Sequence, residues 1–290
     1  LKLAKTLQKL LWKKPDRTAA ISVLVIGKAK TGTTYLSKLL QNSISESVLI
    51  FEPKDYEAFL PRSDSAIQPR NVVTKIIFEH LDSKPNLRLA LMANELPFSF
   101  DKKILLLRDP RDELISRLLY IIKPLKDHGS LSAPKLDKWL EVIRRKEESP
   151  SSLSIMEMIR NLDSIFGTQF MLTFLKHLDD YTAFFQNKAK HVYAYRYEDL
   201  VDRKVSGLEE YLGFSLNFDL ERDAQIQRTL RSGTYGNWKR IFTASDIDEL
   251  SERMGPFIEL IGYDDWELTP VDSLDSPEFS GYVQTLSNSD

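Results

Sequence analysis

The chain has 290 residues, 42% hydrophobic and 10% aromatic, which is enough apolar material for one large α/β domain or two small ones. Charged residues make up 28% and nearly cancel to a formal net charge of −2. No global basic field therefore points to a nucleic-acid polymer, and any anion site must be local. There is no cysteine, which excludes disulfides, thiolate zinc sites and thiol nucleophiles together and fits a reducing compartment such as the cytoplasm.

Residues 1–18 are basic and amphipathic. Leu3, Leu7, Leu10 and Leu11 share one helical face, and Lys2, Lys5, Lys9, Lys13 and Lys14 crowd the rest. The segment lacks the apolar core and small-residue cleavage site of a secretory signal. It reads as a helix docked on the domain, and its pattern also leaves open peripheral membrane contact. No apolar run in the sequence approaches the ~20 residues of a membrane span.

The stretch 21–40 (ISVLVIGKAKTGTTYLSKLL) combines a buried β-branched strand, a small-residue loop and a helix whose Leu36, Leu39 and Leu40 share a face. Strand, loop and helix in that order aim backbone N–H groups and a positive dipole end at an anion. Gly27 and Gly32 are read as positions free to take positive φ. Thr33 and Thr34 add hydroxyls, and Lys30 adds a full charge. The loop departs from the triphosphate pattern G-x-x-x-x-G-K-[ST], because Thr33 stands where Lys belongs.

Further strands are predicted over 48–51 (VLIF), 71–78 (NVVTKIIF), 103–107 (KILLL) and 191–195 (HVYAY), with a helix fragment and loop over 56–68. The third strand delivers Glu79 and His80 at its carboxyl end, where ligands gather in open α/β sheets. The fourth runs into Arg108-Asp109-Pro110-Arg111-Asp112 and a helix, so that Arg108 and Ser116 can grip one phosphate. Residues 121–154 shift in composition, with Pro124, Pro134, Pro150 and Gly129 around one helix at 136–146. They read as an excursion standing off the core, of the kind that forms acceptor pockets. Helices follow over 168–186, 204–212 and 245–254. Between them, 228–243 (RTLRSGTYGNWKRIFT) has the composition of a basic loop folding over an anion. From 269 the chain is polar and reads as an extended end.

Four segments taken together resemble the sulfotransferases that use 3′-phosphoadenosine-5′-phosphosulfate. GKAKTGTTYL is similar to that family's 5′-phosphosulfate loop, and LLLRDPRDELISR to its 3′-phosphate motif, with Arg108 and Ser116 at the matching positions. RSGTYGNWKRIFT is similar to R-K-G-x-x-G-D-W-K-x-x-F-T, and YEDL at 197–200 to a segment beside the nucleotide. The resemblance implies a single P-loop-like α/β domain over 19–268, a central parallel sheet flanked by helices with an acceptor-side excursion at 121–165, and a tail at 269–290. It implies that Lys30, Thr31, Gly32, Thr33 and Thr34 cradle the 5′-phosphate, and that Arg108, Ser116, Arg231, Ser232 and Gly233 hold the 3′-phosphate. Tyr35 and Tyr197 would lie beside the nucleotide. Tyr35 replaces a frequent Trp, Ser232 a usual Lys and Asn237 an Asp.

The function implied is in-line transfer of a sulfuryl group to a hydroxyl or amine of a small-molecule, carbohydrate or lipid acceptor, with adenosine 3′,5′-bisphosphate as product and no metal. Lys30 would stabilise the bridging oxygen and His80 take the proton, with Glu79 as the other candidate. Two further readings remain. A P-loop small-molecule kinase would need a Lys after Gly32 and a metal-binding Asp on a strand. A non-catalytic nucleotide-binding module would keep the phosphate motifs without turnover.

Overall fold

The computed structural model describes residues 20–53, 71–83, 100–188, 191–221, 223, 226–227, 231–263 and 265–289. The amphipathic segment 1–18 and the expected helix fragment 56–68 lie outside the described residues. In chain order the elements are β1 (Ser22–Gly27), α1 (Thr33–Ser43), β2 (Val48–Phe51), β3 (Val72–Ile77), a 3₁₀ turn (Phe78–Ser83), β4 (Lys102–Leu107), α2 (Pro110–Tyr120) and α3 (Ile122–Asp127). There follow α4 (Ala133–Glu148), α5 (Ile155–Phe166), α6 (Phe170–Gln186), β5 (Val192–Arg196), α7 (Tyr197–Val201), α8 (Ser206–Leu212), α9 (Trp238–Ile241), α10 (Ala244–Leu260) and α11 (Ser280–Asn288).

The five strands form one sheet in the order β2-β3-β1-β4-β5, and every pairing is parallel. The strands read as near-continuous apolar runs because helices cover both faces. Alternation along each strand divides the core in two. Leu24, Ile26, Ile76, Leu105 and Leu107 face a larger cluster built with α2, α4, α5, α6, α10 and α11. Val23, Val25, Val73, Ile104 and Leu106 face a smaller one built with α1, α7 and α8.

Helix ends follow local chemistry. Asp109 caps α2 by accepting from Arg111 N at 2.9 Å, with Pro110 as its first residue. Ser154 caps α5, and Gly167 ends it in the left-handed conformation. Thr243 and Asp246 form a capping box on α10. The α10 helix continues past the expected end at 254, through Pro256, because Leu250, Met254, Phe257 and Ile258 form one buried stripe.

Two expectations are corrected. The 121–154 segment does not stand off the core, since Trp139, Leu140 and Ile143 of α4 are buried in the larger cluster. The C-terminal end is not extended. Leu274, Phe279, Tyr282, Val283 and Leu286 are buried in that same cluster, and their spacing over 279–286 is helical, although Ser, Pro and Gly around them dilute the pattern. Among the described residues no helix is long and apolar enough to cross a membrane.

Candidate active site

Gly27, the last residue of β1, is in register with Ile77 of β3 and Leu106 of β4. At this edge the chain connection switches from one side of β1 to the other, and a cavity of about 470 Å³ opens there. A parallel sheet gathers its ligands at such a switch point, beyond the carboxyl ends of the strands.

The loop between β1 and α1 forms the cavity floor. Thr31 turns inward and donates to the Lys28 carbonyl from both N (3.3 Å) and Oγ1 (2.7 Å), so it shapes the loop and does not line the cavity. Gly32 takes the positive φ expected of it (90°), whereas Gly27 does not, and the loop's other positive φ falls on Lys30 (67°). What Gly27 supplies is space, because a Cβ there would lie 2.6 Å from Thr33 Cγ2 and 2.8 Å from Thr31 Oγ1. Gly32 is the N-cap of α1 and has no side chain to close the helix end. The first-turn N–H groups and the helix dipole are left for an anion beside Gly32, Thr33, Thr34 and Tyr35, which all line the cavity.

The two lysines of the loop separate. Lys28 is fully buried, 3.0 Å from Glu113 Oε1 and 4.7 Å from the Phe174 ring centroid. Burial pulls its ammonium down to about 8, against the opposing pull of Glu113. Lys30 lines the cavity. Its Nζ donates to Tyr282 Oη at 3.2 Å and lies 4.0 Å from the Tyr120 ring centroid.

Opposite the loop are two arginines. Arg108 follows β4, donates to the Lys30 carbonyl at 2.6 Å, and stacks 4.3 Å from the Tyr197 ring centroid, while its buried Nε has no hydrogen-bond partner among the described residues. The Arg231 side chain is only 3% exposed, and none of its three guanidinium nitrogens has a hydrogen-bond partner among the described residues. Burial, and then the neighbouring Arg108 charge, pull the Arg231 guanidinium below its ordinary range. Ser116, from the second turn of α2, lines the cavity beside them, as do Ser232 and Gly233.

The 231–237 loop is pinned from below by Asp112, which accepts from Gly236 N at 2.5 Å and Trp238 N at 3.0 Å. Ser232 Oγ accepts from Thr234 Oγ1 at 3.0 Å and Asn237 Nδ2 at 3.4 Å, so the residues that replace Lys and Asp of the similar motif tie the loop to itself. Leu200, Phe218 and Ile226 join Tyr35 in the lining and give it an apolar side suited to a flat heterocycle.

The remaining wall lies at the ends of β2 and β3. His80 lines the cavity, whereas Glu79 does not. The Glu79 carboxylate accepts from Ala29 N at 3.0 Å and pairs with Arg117, so it buttresses the β1–α1 loop. Two residues escaped the sequence reading. Glu52, at φ 47°, lines the cavity with Oε2 3.6 Å from His80 Nδ1. Lys75 is buried in β3, with Nζ 2.5 Å from Glu52 Oε1 and 4.1 Å from the Phe51 ring centroid. Signals for both were present. Glu52 follows a predicted strand, as Glu79 and His80 do, and Lys75 is a charge inside an apolar strand run. Among the described residues none of 121–165 lines the cavity, so the acceptor-side role expected of that segment has no counterpart in the lining.

A search of the curated proteins finds no match. Among solved structures, the crystal structure of mouse sulfotransferase SULT7A1 complexed with PAP matches at 15% identity and a TM-score of 0.44, covering 82% of this chain and 85% of that one. The model of one family, described as the sulfotransferase domain, matches residues 21–221, which takes in the β1–α1 loop, the Arg108–Ser116 segment and the whole sheet but ends before the 231–243 loop. With most of its length matched, this chain belongs to the sulfotransferase domain family.

Proposed function

We propose that the chain moves a sulfuryl group from 3′-phosphoadenosine-5′-phosphosulfate to a hydroxyl or amine of a small-molecule, carbohydrate or lipid acceptor. One observation carries the reading. A buried Arg231 guanidinium without a hydrogen-bond partner lines the same cavity as Arg108 and the open end of α1. Burying two cations side by side is costly unless an anion completes the site, and a phosphate supplies both the charge and the acceptor oxygens. The residues present fit that donor. Gly32, Thr33 and Thr34 would hold the 5′-phosphate, Arg108, Ser116, Arg231, Ser232 and Gly233 the 3′-phosphate, and Tyr35 and Tyr197 would flank the nucleotide.

The bound donor supplies an activated sulfuryl group whose bridging oxygen becomes negative as the sulfur leaves it. Lys30 reaches the cavity from the phosphate loop and places a full charge for that oxygen. His80 takes the acceptor proton. Glu52 faces Nδ1 and favours the tautomer that leaves Nε2 as the acceptor, and Lys75 holds Glu52 in turn. Glu79 keeps the loop in place through Ala29 and Arg117.

Calorimetry and thermal shift with adenosine 3′,5′-bisphosphate and with ATP–Mg²⁺ test the donor class. Stabilisation by the bisphosphate alone is the expected result, and a preference for ATP–Mg²⁺ would turn the assignment toward a kinase. A screen of hydroxyl and amine acceptors with radiolabelled donor tests transfer. Binding without transfer to any acceptor would leave a nucleotide-binding module.

A further inference from the structure

The C-terminal segment lies beyond the family match, yet it reaches two of the three cations assigned above, Lys30 and Arg231. It is locked in place from α4. The Glu147 carboxylate accepts from Ser280 N at 2.6 Å and Ser280 Oγ at 3.0 Å, and the Glu147 carbonyl accepts from Leu274 N at 2.9 Å. Phe279, Val283 and Leu286 anchor it in the core. So fixed, the segment presents two polar side chains, Glu278 from the 3₁₀ turn Ser276–Glu278 and Tyr282 from the first turn of α11. Tyr282 Oη meets Lys30 Nζ at 3.2 Å, and Glu278 Oε2 lies 3.6 Å from Arg231 Nη1, with the Phe279 ring centroid 5.7 Å from the Arg231 guanidinium carbon.

The Glu278–Arg231 geometry is specific. The oxygen is close enough to offset the buried charge, yet Nη1 makes no hydrogen bond to it, so the guanidinium donors stay available to a ligand. A carboxylate in that position favours the empty site and repels a phosphate dianion placed on Arg231.

We propose that Glu278 is a donor-site residue that lowers the affinity of the 3′-phosphate subsite, so that the C-terminal segment sets how tightly the bisphosphate product is held. The inference rests on the assignment of Arg231 to the 3′-phosphate. It makes 3′-phosphorylated nucleotides respond to Glu278, and leaves indifferent those that lack this group. Release of the bisphosphate would be the step that the carboxylate accelerates.

Calorimetry with adenosine 3′,5′-bisphosphate and adenosine 5′-monophosphate on Glu278→Gln, Glu278→Asp and Arg231→Ala tests it. Glu278→Gln should bind the bisphosphate about tenfold more tightly, the scale of one nearby charge in a partly solvated site. It should bind the monophosphate as the parent does, and Glu278→Asp, which keeps the charge, should show less than half of the gain in log affinity. Unchanged or weaker bisphosphate binding by Glu278→Gln overturns the inference, and so does equal tightening of both nucleotides. If Arg231→Ala leaves bisphosphate affinity untouched, the assignment of Arg231 itself has failed. If Arg231→Ala weakens binding and Glu278→Gln does not tighten it, only the role of Glu278 has failed.

Discussion

The Tyr197 ring occupies the space that a side chain at Gly32 would need, for a Cβ on Gly32 would lie 2.5 Å from Tyr197 Cδ2. Gly32 also holds φ at 90°. The β1–α1 loop, the start of α7 and, through the stacked guanidinium, Arg108 are thus locked at one point. Gly32→Ala should lose on the order of 2 kcal/mol from left-handed strain and displacement of the ring. It should also abolish measurable bisphosphate binding. Denaturant unfolding and calorimetry read the two effects, and a variant with parental affinity would show that the loop geometry is not what binds the nucleotide.

Arg108→Ala should weaken bisphosphate binding by roughly 2–4 kcal/mol, the cost of truncating one partner of a desolvated charge pair. Because Arg108 also donates to the Lys30 carbonyl, the loss should extend to adenosine 5′-monophosphate. Arg231→Ala should spare the monophosphate. Calorimetry with both nucleotides separates the two arginines, and identical losses for the two variants would mean that the 3′-phosphate subsite is misplaced.

Lys30→Ala should depress turnover by about 10²–10³, the scale for removing one donor from a developing oxyanion. Bisphosphate affinity should fall far less, because the charge matters most in the transition state. Steady-state kinetics on the acceptor from the screen, alongside calorimetry, makes the comparison. Matching losses in both would reduce Lys30 to a ground-state ligand.

His80→Ala should lower kcat by roughly 10²–10⁴, as expected for loss of a general base, with nucleotide binding intact. Glu52→Gln should give a smaller loss and alter the pH–rate profile, because it removes the carboxylate facing Nδ1. Glu79→Gln should act mainly on stability, by about 1–3 kcal/mol, through the buried Arg117 and Ala29 N–H that it leaves poorly paired. A Glu79→Gln variant that folds normally and loses turnover as completely as His80→Ala would move the base to Glu79.

Lys28 makes stability depend on pH. Its folded ammonium is pulled down to about 8 by burial, below the ordinary value of about 10.4 that it regains in the unfolded chain. Between those values the unfolded state binds more protons, so this group's contribution grows as pH rises and is lost as pH falls through the folded value. Melting temperatures of the parent and Lys28→Met measured from pH 7 to 10 should diverge, the parent gaining on the variant at the alkaline end. Parallel curves would mean that Lys28 does not titrate in this range.

Much of this protein is legible in its sequence because the information is local. β-Branched and leucine runs bounded by loops mark all five strands, and strand–nest–helix order places an anion at the Lys30–Thr34 turn without any tertiary knowledge. The same rule places Arg108 at a strand tip and Ser116 one face along the next helix. Local pattern could not decide which of several charged neighbours face the cavity. Glu79 and His80 are adjacent, as are Lys28 and Lys30 across Ala29, and in each case a long-range partner decides. Arg117 claims Glu79, Glu113 claims Lys28, and the remaining member lines the cavity. Glu52 and Lys75 meet only because β2 pairs with β3, and Glu278 and Tyr282 reach Arg231 and Lys30 only because the C-terminal segment finds its apolar partners in a core assembled from distant parts of the chain. Burial and pairing of charge are properties of the assembled fold, so which of these neighbouring ionisable groups face the cavity was decided there.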